Sequence, residues 1–320
     1  MTVYKMTARI RSRTRPPVFH GKIGSIDDLV TLSHSNHEYI NLKMKKLRAI
    51  REELIELQQL VGLSKIKQSI FEQLVFYLQN LHLRSDMYLN TVIYGPPGVG
   101  KTTIAKLLGR MFSKLRILSE DGLFGIARRD SLVGEYLGQT AVKTQEFLED
   151  HLGGVVFIDE VYSLGSEEGK DSFSREAIDQ INLFLSENRD DFMMIVAGYE
   201  SEIEQRFFRF NPGLKRRFMW YHTIDHYSPE ELRQIFRLKM RQSGWSISNN
   251  CDKDVFNDID LFKDNGGAVE NFITRLKIKH SLRVVQLPSR FKRLITQDDV
   301  NAALVDVKRP KVEEYMSMYL

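Results

Sequence analysis

Residues 90–103 read Asn-Thr-Val-Ile-Tyr-Gly-Pro-Pro-Gly-Val-Gly-Lys-Thr-Thr, and Gly95 to Thr102 fit G-x-x-x-x-G-K-[ST], the pattern of a phosphate-binding loop. The pattern needs a strand before it and a helix after it. Thr91, Val92, Ile93 and Tyr94 form a short apolar, β-branched run, and residues 103–111 repeat apolar side chains at helical spacing. The chemistry explains the residue types. Gly95, Gly98 and Gly100 let the backbone bend until its N–H groups face a β-phosphate, with the positive end of the next helix behind them. Lys101 would reach the β- and γ-phosphates, and the Thr102 hydroxyl would ligate Mg²⁺. Pro97, Val99 and Thr103 complete the loop residues assigned to nucleotide, and Pro96 and Pro97 stiffen it.

The second signal is Gly153-Gly154-Val155-Val156-Phe157-Ile158-Asp159-Glu160, whose unbroken apolar run reads as a buried parallel strand. Two carboxylates at its C-terminal end sit where open α/β sheets place their ligands. Asp159 would hold the Mg²⁺ shell, and Glu160 would orient and deprotonate a water aimed at the γ-phosphate. A further buried strand, 192–197, ends in Gly198-Tyr199-Glu200, where a polar side chain would touch the γ-phosphate from the neighbouring strand.

At 320 residues the chain can bury a sizeable core and hold more than one domain. Its net charge of +4 hides an asymmetry: residues 1–26 carry six basic side chains, among them Arg9, Arg11, Arg13 and Arg15, and no acid. The remaining 40 basic residues face 42 acidic ones, so the charge is no argument that the main body binds nucleic acid. The arm reads as a solvated tail, a contact for nucleic acid or another anionic partner, or a transit peptide. One cysteine, Cys251, excludes an internal disulfide and fits a reducing intracellular compartment such as the cytoplasm. Apolar runs are too short to span a bilayer, so no membrane partner is expected. His34 and His37 have no nearby Cys or carboxylate partner and read as surface histidines.

Coarse patterning completes the outline. Ser25 with Asp27 and Asp28 opens a short helix, and Leu47, Ile50, Leu54, Leu57 and Val61 predict one amphipathic helix docked on the next domain. Ser64 caps another helix, running to about Leu83. Strands are expected at 123–127 and 218–224, and helices at 139–151 and 172–188. Ser131–Thr140 reads as an exposed loop carrying Tyr136. From Ser228-Pro229-Glu230-Glu231, a capping box with proline at N1, the pattern is helical alone: 229–242, 252–262, 267–282 and 297–306, with Gly266-Gly267 as a turn. Strands alternating with helices, then helices alone, mean a parallel α/β domain followed by a small helical one.

Six phrases in order, "LVGLSKIKQSI", "GPPGVGKTTIAKLL", "SLVGEYLGQTAVKTQEFL", "GGVVFIDEVYSL", "DDFMMIVAGY" and "NPGLKRRF", make the chain similar to the AAA+ ATPases over roughly 56–300. Within them it resembles the CbxX/CfqX group, which includes the red-type Rubisco activases, and its wording resembles relatives found in large DNA viruses. The resemblance implies an α/β fold: a P-loop NTPase parallel sheet flanked by helices (56–226), then an all-helical lid (227–308), with 1–55 as basic arm and helical extension and 309–320 as tail. It implies that Val61 and Gly62 lie against adenine, that Asp159 and Glu160 are the magnesium and water-activating pair, and that Tyr199 stands at the γ-phosphate sensor position. Arg217, or Arg216 beside it, matches the arginine offered to a neighbouring subunit's γ-phosphate. Tyr136 matches the aromatic that grips substrate in the central pore. The lid arginine of the group's "GNAR" is missing from Asn265-Gly266-Gly267-Ala268, and Arg275 two turns on is the substitute to examine.

The expectation is a chaperone-like, Mg-ATP-dependent ATPase in a homo-oligomeric ring, a hexamer, that threads or remodels a protein substrate. Two alternatives stand beside it: a nucleic-acid-directed ATPase using the basic arm, and an ATP-gated scaffold with little turnover.

Overall fold

Strand runs short enough to be buried on both faces, separated by helix-length segments, leave the chain one economical arrangement: a parallel sheet with helices on each side. The computed structural model describes residues 15–82, 87–119, 123–136, 138–165, 172–248 and 251–308. Arg9, Arg11 and Arg13 of the arm and the tail 309–320 lie outside them. Among the described residues, β1 (Asn90–Tyr94), β2 (Phe124–Ala127), β3 (Val155–Ile158), β4 (Met193–Gly198) and β5 (Phe218–Thr223) form one parallel sheet in the order β2-β3-β4-β1-β5.

Side chains alternate between its two faces. On one face Ile93, Val155, Phe157, Met193 and Ile195 join a core built by helices N-terminal to the sheet and by the helix that follows β1. In chain order these are α1 (Ile26–Ser33), α2 (Met44–Ala49), α3 (Arg51–Gln59), α4 (Ser64–Leu78) and α5 (Lys101–Lys114). On the other face Val92, Val156, Ile158, Met194 and Val196 pack under α6 (Thr140–Glu149) and α7 (Ser172–Glu187).

The N-terminal extension is part of the first core. Leu47, Ile50, Leu54 and Leu57 are fully buried, and α3 is tied to α5 by Glu53–Lys114 at 2.7 Å. The single helix expected here is two. Ile50, at φ −99° and ψ 13°, leaves helical geometry between α2 and α3, which lets the apolar stripe continue while the axis turns. Nor does Ser64 cap α4: the cap position is Leu63, left-handed at φ 61° directly after Gly62 at φ 63°. α4 ends at Leu78, short of the expected Leu83.

The lid consists of α8 (Pro229–Gln242), α9 (Asn265–Arg283) and α10 (Gln297–Lys308) around Phe236, Phe256, Phe262 and Phe272. α8 opens with the capping box of Ser228 and Glu231. Three details differ from expectation. Residues 252–262 form turns ending in a 3₁₀ turn at Ile259–Phe262, because buried Asp252 at the segment's start is held by Arg237 (2.6 and 3.0 Å) and Arg233 (3.2 Å) and draws the chain inward. Gly266 and Gly267 are the first turn of α9, not a turn between helices. The lid also carries a parallel ladder, β6 (Ser246–Ile247) with β7 (Leu294–Ile295), too short to leave a pattern. No helix among the described residues is long and apolar enough to cross a membrane.

Candidate active site

The carboxyl ends of β1, β3 and β4 converge below the lid. After β1 the chain needs positive φ twice, and glycine supplies it: Gly98 at 71° and Gly100 at 92°. α5 then starts at Lys101, so its N-terminal dipole faces the loop. Lys101 is 6% exposed; its Nζ donates to the carbonyls of Gly95 (3.0 Å) and Pro96 (2.9 Å) and lies 3.9 Å from Glu160 Oε1. Burial pulls its pKa down, and the charges of Glu160 and Asp159 oppose that.

The Thr102 hydroxyl donates to Asp159 Oδ2 at 2.5 Å, and Asp159 Oδ1 accepts from the Glu160 amide at 3.1 Å. Two hard oxygen ligands therefore converge from the phosphate loop helix and from β3, a donor set suited to Mg²⁺. Glu160 itself is left-handed, at φ 51° and ψ 46°. A non-glycine residue there costs about 1 kcal/mol or more, and the strain swings its carboxylate off the strand line toward Lys101. Burial raises its pKa; Lys101 lowers it and Asp159 raises it again.

A cleft of about 520 Å³ runs from these groups to the seam with the lid. Its floor is the phosphate loop with Asp159 and Glu160. One wall is apolar, with Leu60, Val61 and Leu63 facing Tyr227, Ile235 and Leu238 of the lid. That wall has the chemistry of a purine slot. Gly62 does not line it. It makes the turn that presents Val61, and a Cβ there would meet the Glu231 carboxylate at 2.1 Å. From the lid, Gly266 and Gly267 line the cleft as bare backbone, beside the ion pair Lys239–Glu270 at 2.5 Å. Arg275 does not line it. It is exposed, with Nη1 3.4 Å from the Asp306 carbonyl.

Other expected site residues stand elsewhere. The Tyr199 ring centroid lies 5.5 Å from Lys101 Nζ and 6.0 Å from that of Tyr162, so it stands over Lys101 from the side of β4 and lines a neighbouring open cleft. Arg217 precedes β5, at the end of the sheet remote from its own cleft. Its Nε donates to Ser186 Oγ at 2.8 Å and its Nη1 to the Gly213 carbonyl at 2.5 Å, while neighbouring Arg216 is exposed. Tyr136 is 67% exposed on the loop before α6, away from the cleft. Tyr227, Lys239 and Glu270 carried no sequence signal, and Asn265 only its place in the stretch matched to "GNAR", since only packing of the lid brings them to the cleft and its loop.

The sequence model of the "ATPase family associated with various cellular activities (AAA)" matches residues 91–218. The chain is 37% identical over 270 residues to a cfxQ-like protein of Acanthamoeba polyphaga mimivirus, covering 82% of this chain and 66% of that protein. It is 30% identical over 291 residues to the chloroplastic ribulose bisphosphate carboxylase/oxygenase activase of Cyanidioschyzon merolae, covering 87% of this chain and 98% of the relative. Among solved structures, the FIGL-1 AAA domain in complex with ADP superposes with TM-score 0.57 at 19% identity, over 82% of this chain and 87% of that one.

Proposed function

The chain belongs to the AAA family of ATPases, in the CbxX/CfqX group with its giant-virus relative, and from that premise we propose that it works as a ring-forming motor on a protein substrate. It is an ATPase. In our reading Lys101 and the loop amides hold the β- and γ-phosphates, Thr102 and Asp159 hold Mg²⁺, and Glu160 takes the proton of the attacking water. The bound ion would neutralise charge on the phosphate oxygens. Tyr199 steadies Lys101 and senses the γ-phosphate side. Exposed Tyr136 contacts the substrate, and the algal relative, named as an activase of another enzyme, supports a protein in that role.

The observation that carries the ring is the place of the basic corner Lys215-Arg216-Arg217. β5 has six residues and spans about 20 Å at a strand's rise, so the corner stands that far from its own cleft. An arginine there is out of reach of its own cleft, so any phosphate it meets would be a neighbour's, beyond the contacts Arg217 makes with Ser186 and Gly213. The test is ATPase activity against protein concentration, for wild type, Arg216→Ala and Arg217→Ala. Specific activity is expected to rise with concentration and to fall ~100-fold or more in whichever variant removes the trans arginine. Mixing that variant with Glu160→Gln subunits restores part of the activity, because one mixed interface is whole. Activity flat with concentration and indifferent to both arginines would mean a self-contained site, and the motor reading would be abandoned.

A further inference from the structure

Three successive carbonyls of the phosphate loop are held by the lid and its hinge. Pro97 O accepts from Asn265 Nδ2 at 3.1 Å, Gly98 O from the Gly266 amide at 3.0 Å, and Val99 O from the Tyr227 hydroxyl at 3.0 Å. Asn265 is 1% exposed and left-handed at φ 54°; its Oδ1 also accepts from the Tyr227 amide at 3.0 Å, which locks the two residues together. Between Gly98 and Gly266 the contact is backbone to backbone. A Cβ on Gly98 would meet the Asp264 carbonyl at 2.1 Å, and one on Gly266 would meet the Gly98 carbonyl at 2.7 Å.

In a trans peptide the carbonyl of one residue and the N–H of the next point opposite ways, and no peptide bond among the described residues is cis. Holding the carbonyls of 97, 98 and 99 toward the lid therefore turns the amides of Gly98, Val99 and Gly100 away from it, toward the phosphate side of the loop. We infer that Asn265 and Tyr227 are positioning residues for ATP: the lid sets the anion-binding amides through the loop's carbonyls, and so couples lid position to phosphate binding with no lid arginine among the described residues lining the cleft. Neither residue needs to touch a phosphate. The inference rests on the reading of this cleft as the ATP site.

Two variants remove side-chain donors and leave the backbone conformation accessible: Tyr227→Phe loses only the hydroxyl, and Asn265→Gly keeps the left-handed φ. Affinities for ATP, ADP and AMP would be measured by competition against a fluorescent ADP, beside melting without nucleotide. ATP and ADP should each weaken about 5- to 20-fold in either variant, and AMP, which has no β-phosphate, less than twofold. Unchanged ATP affinity in both variants overturns the inference. So does an equal loss for all three nucleotides, or a fall in nucleotide-free melting temperature that accounts for it, since either is a merely structural role. Wild-type protein that fails to bind ATP would instead sink the underlying site.

Discussion

Glu160 combines a left-handed backbone, partial burial and a lysine 3.9 Å away. A general base must be ionised, so its activity is lost as pH falls through its pKa. Burial raises that pKa above the ordinary 4.5 in the free protein, so the acid limb of kcat/KM should lie above that of a solvated glutamate. Glu160→Gln should lower kcat ~100-fold or more while ATP affinity changes only a few-fold, and its residual activity should show no acid limb. A pH–rate profile of both proteins checks this; equal rates would remove Glu160 from the chemistry. At this scale the motif residues were legible, because phosphate and Mg²⁺ chemistry fixes residue type and spacing together. The strain at Glu160 was not, since nothing in Asp-Glu at a strand end specifies left-handed geometry.

Helices and strands were legible where periodicity was long, and seams between them were not. The stripe Leu47, Ile50, Leu54 and Leu57 announced its burial, but the break at Ile50 belongs to the way α2 packs against α1 while α3 packs against both α1 and α5. The same holds for His222 on β5, which lies fully buried against α4 with Nδ1 2.7 Å from Ser69 Oγ and Nε2 3.0 Å from Gln73 Oε1. Burial pushes its pKa from 6.5 down to about 4. The unfolded chain thus takes up this proton near pH 6.5 and the folded one only near 4. Stability from this seam is present above 6.5 and drains away as pH falls to about 4, by on the order of 3 kcal/mol in all. Denaturant unfolding across that range should show the decline in wild type and lose most of this component in His222→Gln. A wild-type curve flat between those pH values would mean that His222 is already protonated in the fold.

For the whole molecule, the proposed trans arginine at one end of the sheet and the proposed ATP cleft at the other together predict assembly linked to ATP. Glu160→Gln with saturating ATP should sediment as a closed multiple of the protomer mass, and should fall toward protomers when Arg216 and Arg217 are both replaced by alanine. A protomer mass at every concentration, with ATP bound, would contradict the ring. What the sequence by itself determined here is local: the phosphate loop, the acidic pair, the order of strands and helices, and the family to which they belong. These follow from short-range sterics, hydrophobic period and a fixed chemistry of phosphate, all written in neighbouring residues. Only the tertiary structure decided that residues 26–57 complete the core of the large domain, that Arg275 is exposed outside the cleft, and that Asn265, Gly266 and Tyr227 grip the phosphate loop. Those contacts join residues 128 to 168 positions apart. Such pairings are set by how packed layers come to rest against each other, which no local pattern encodes.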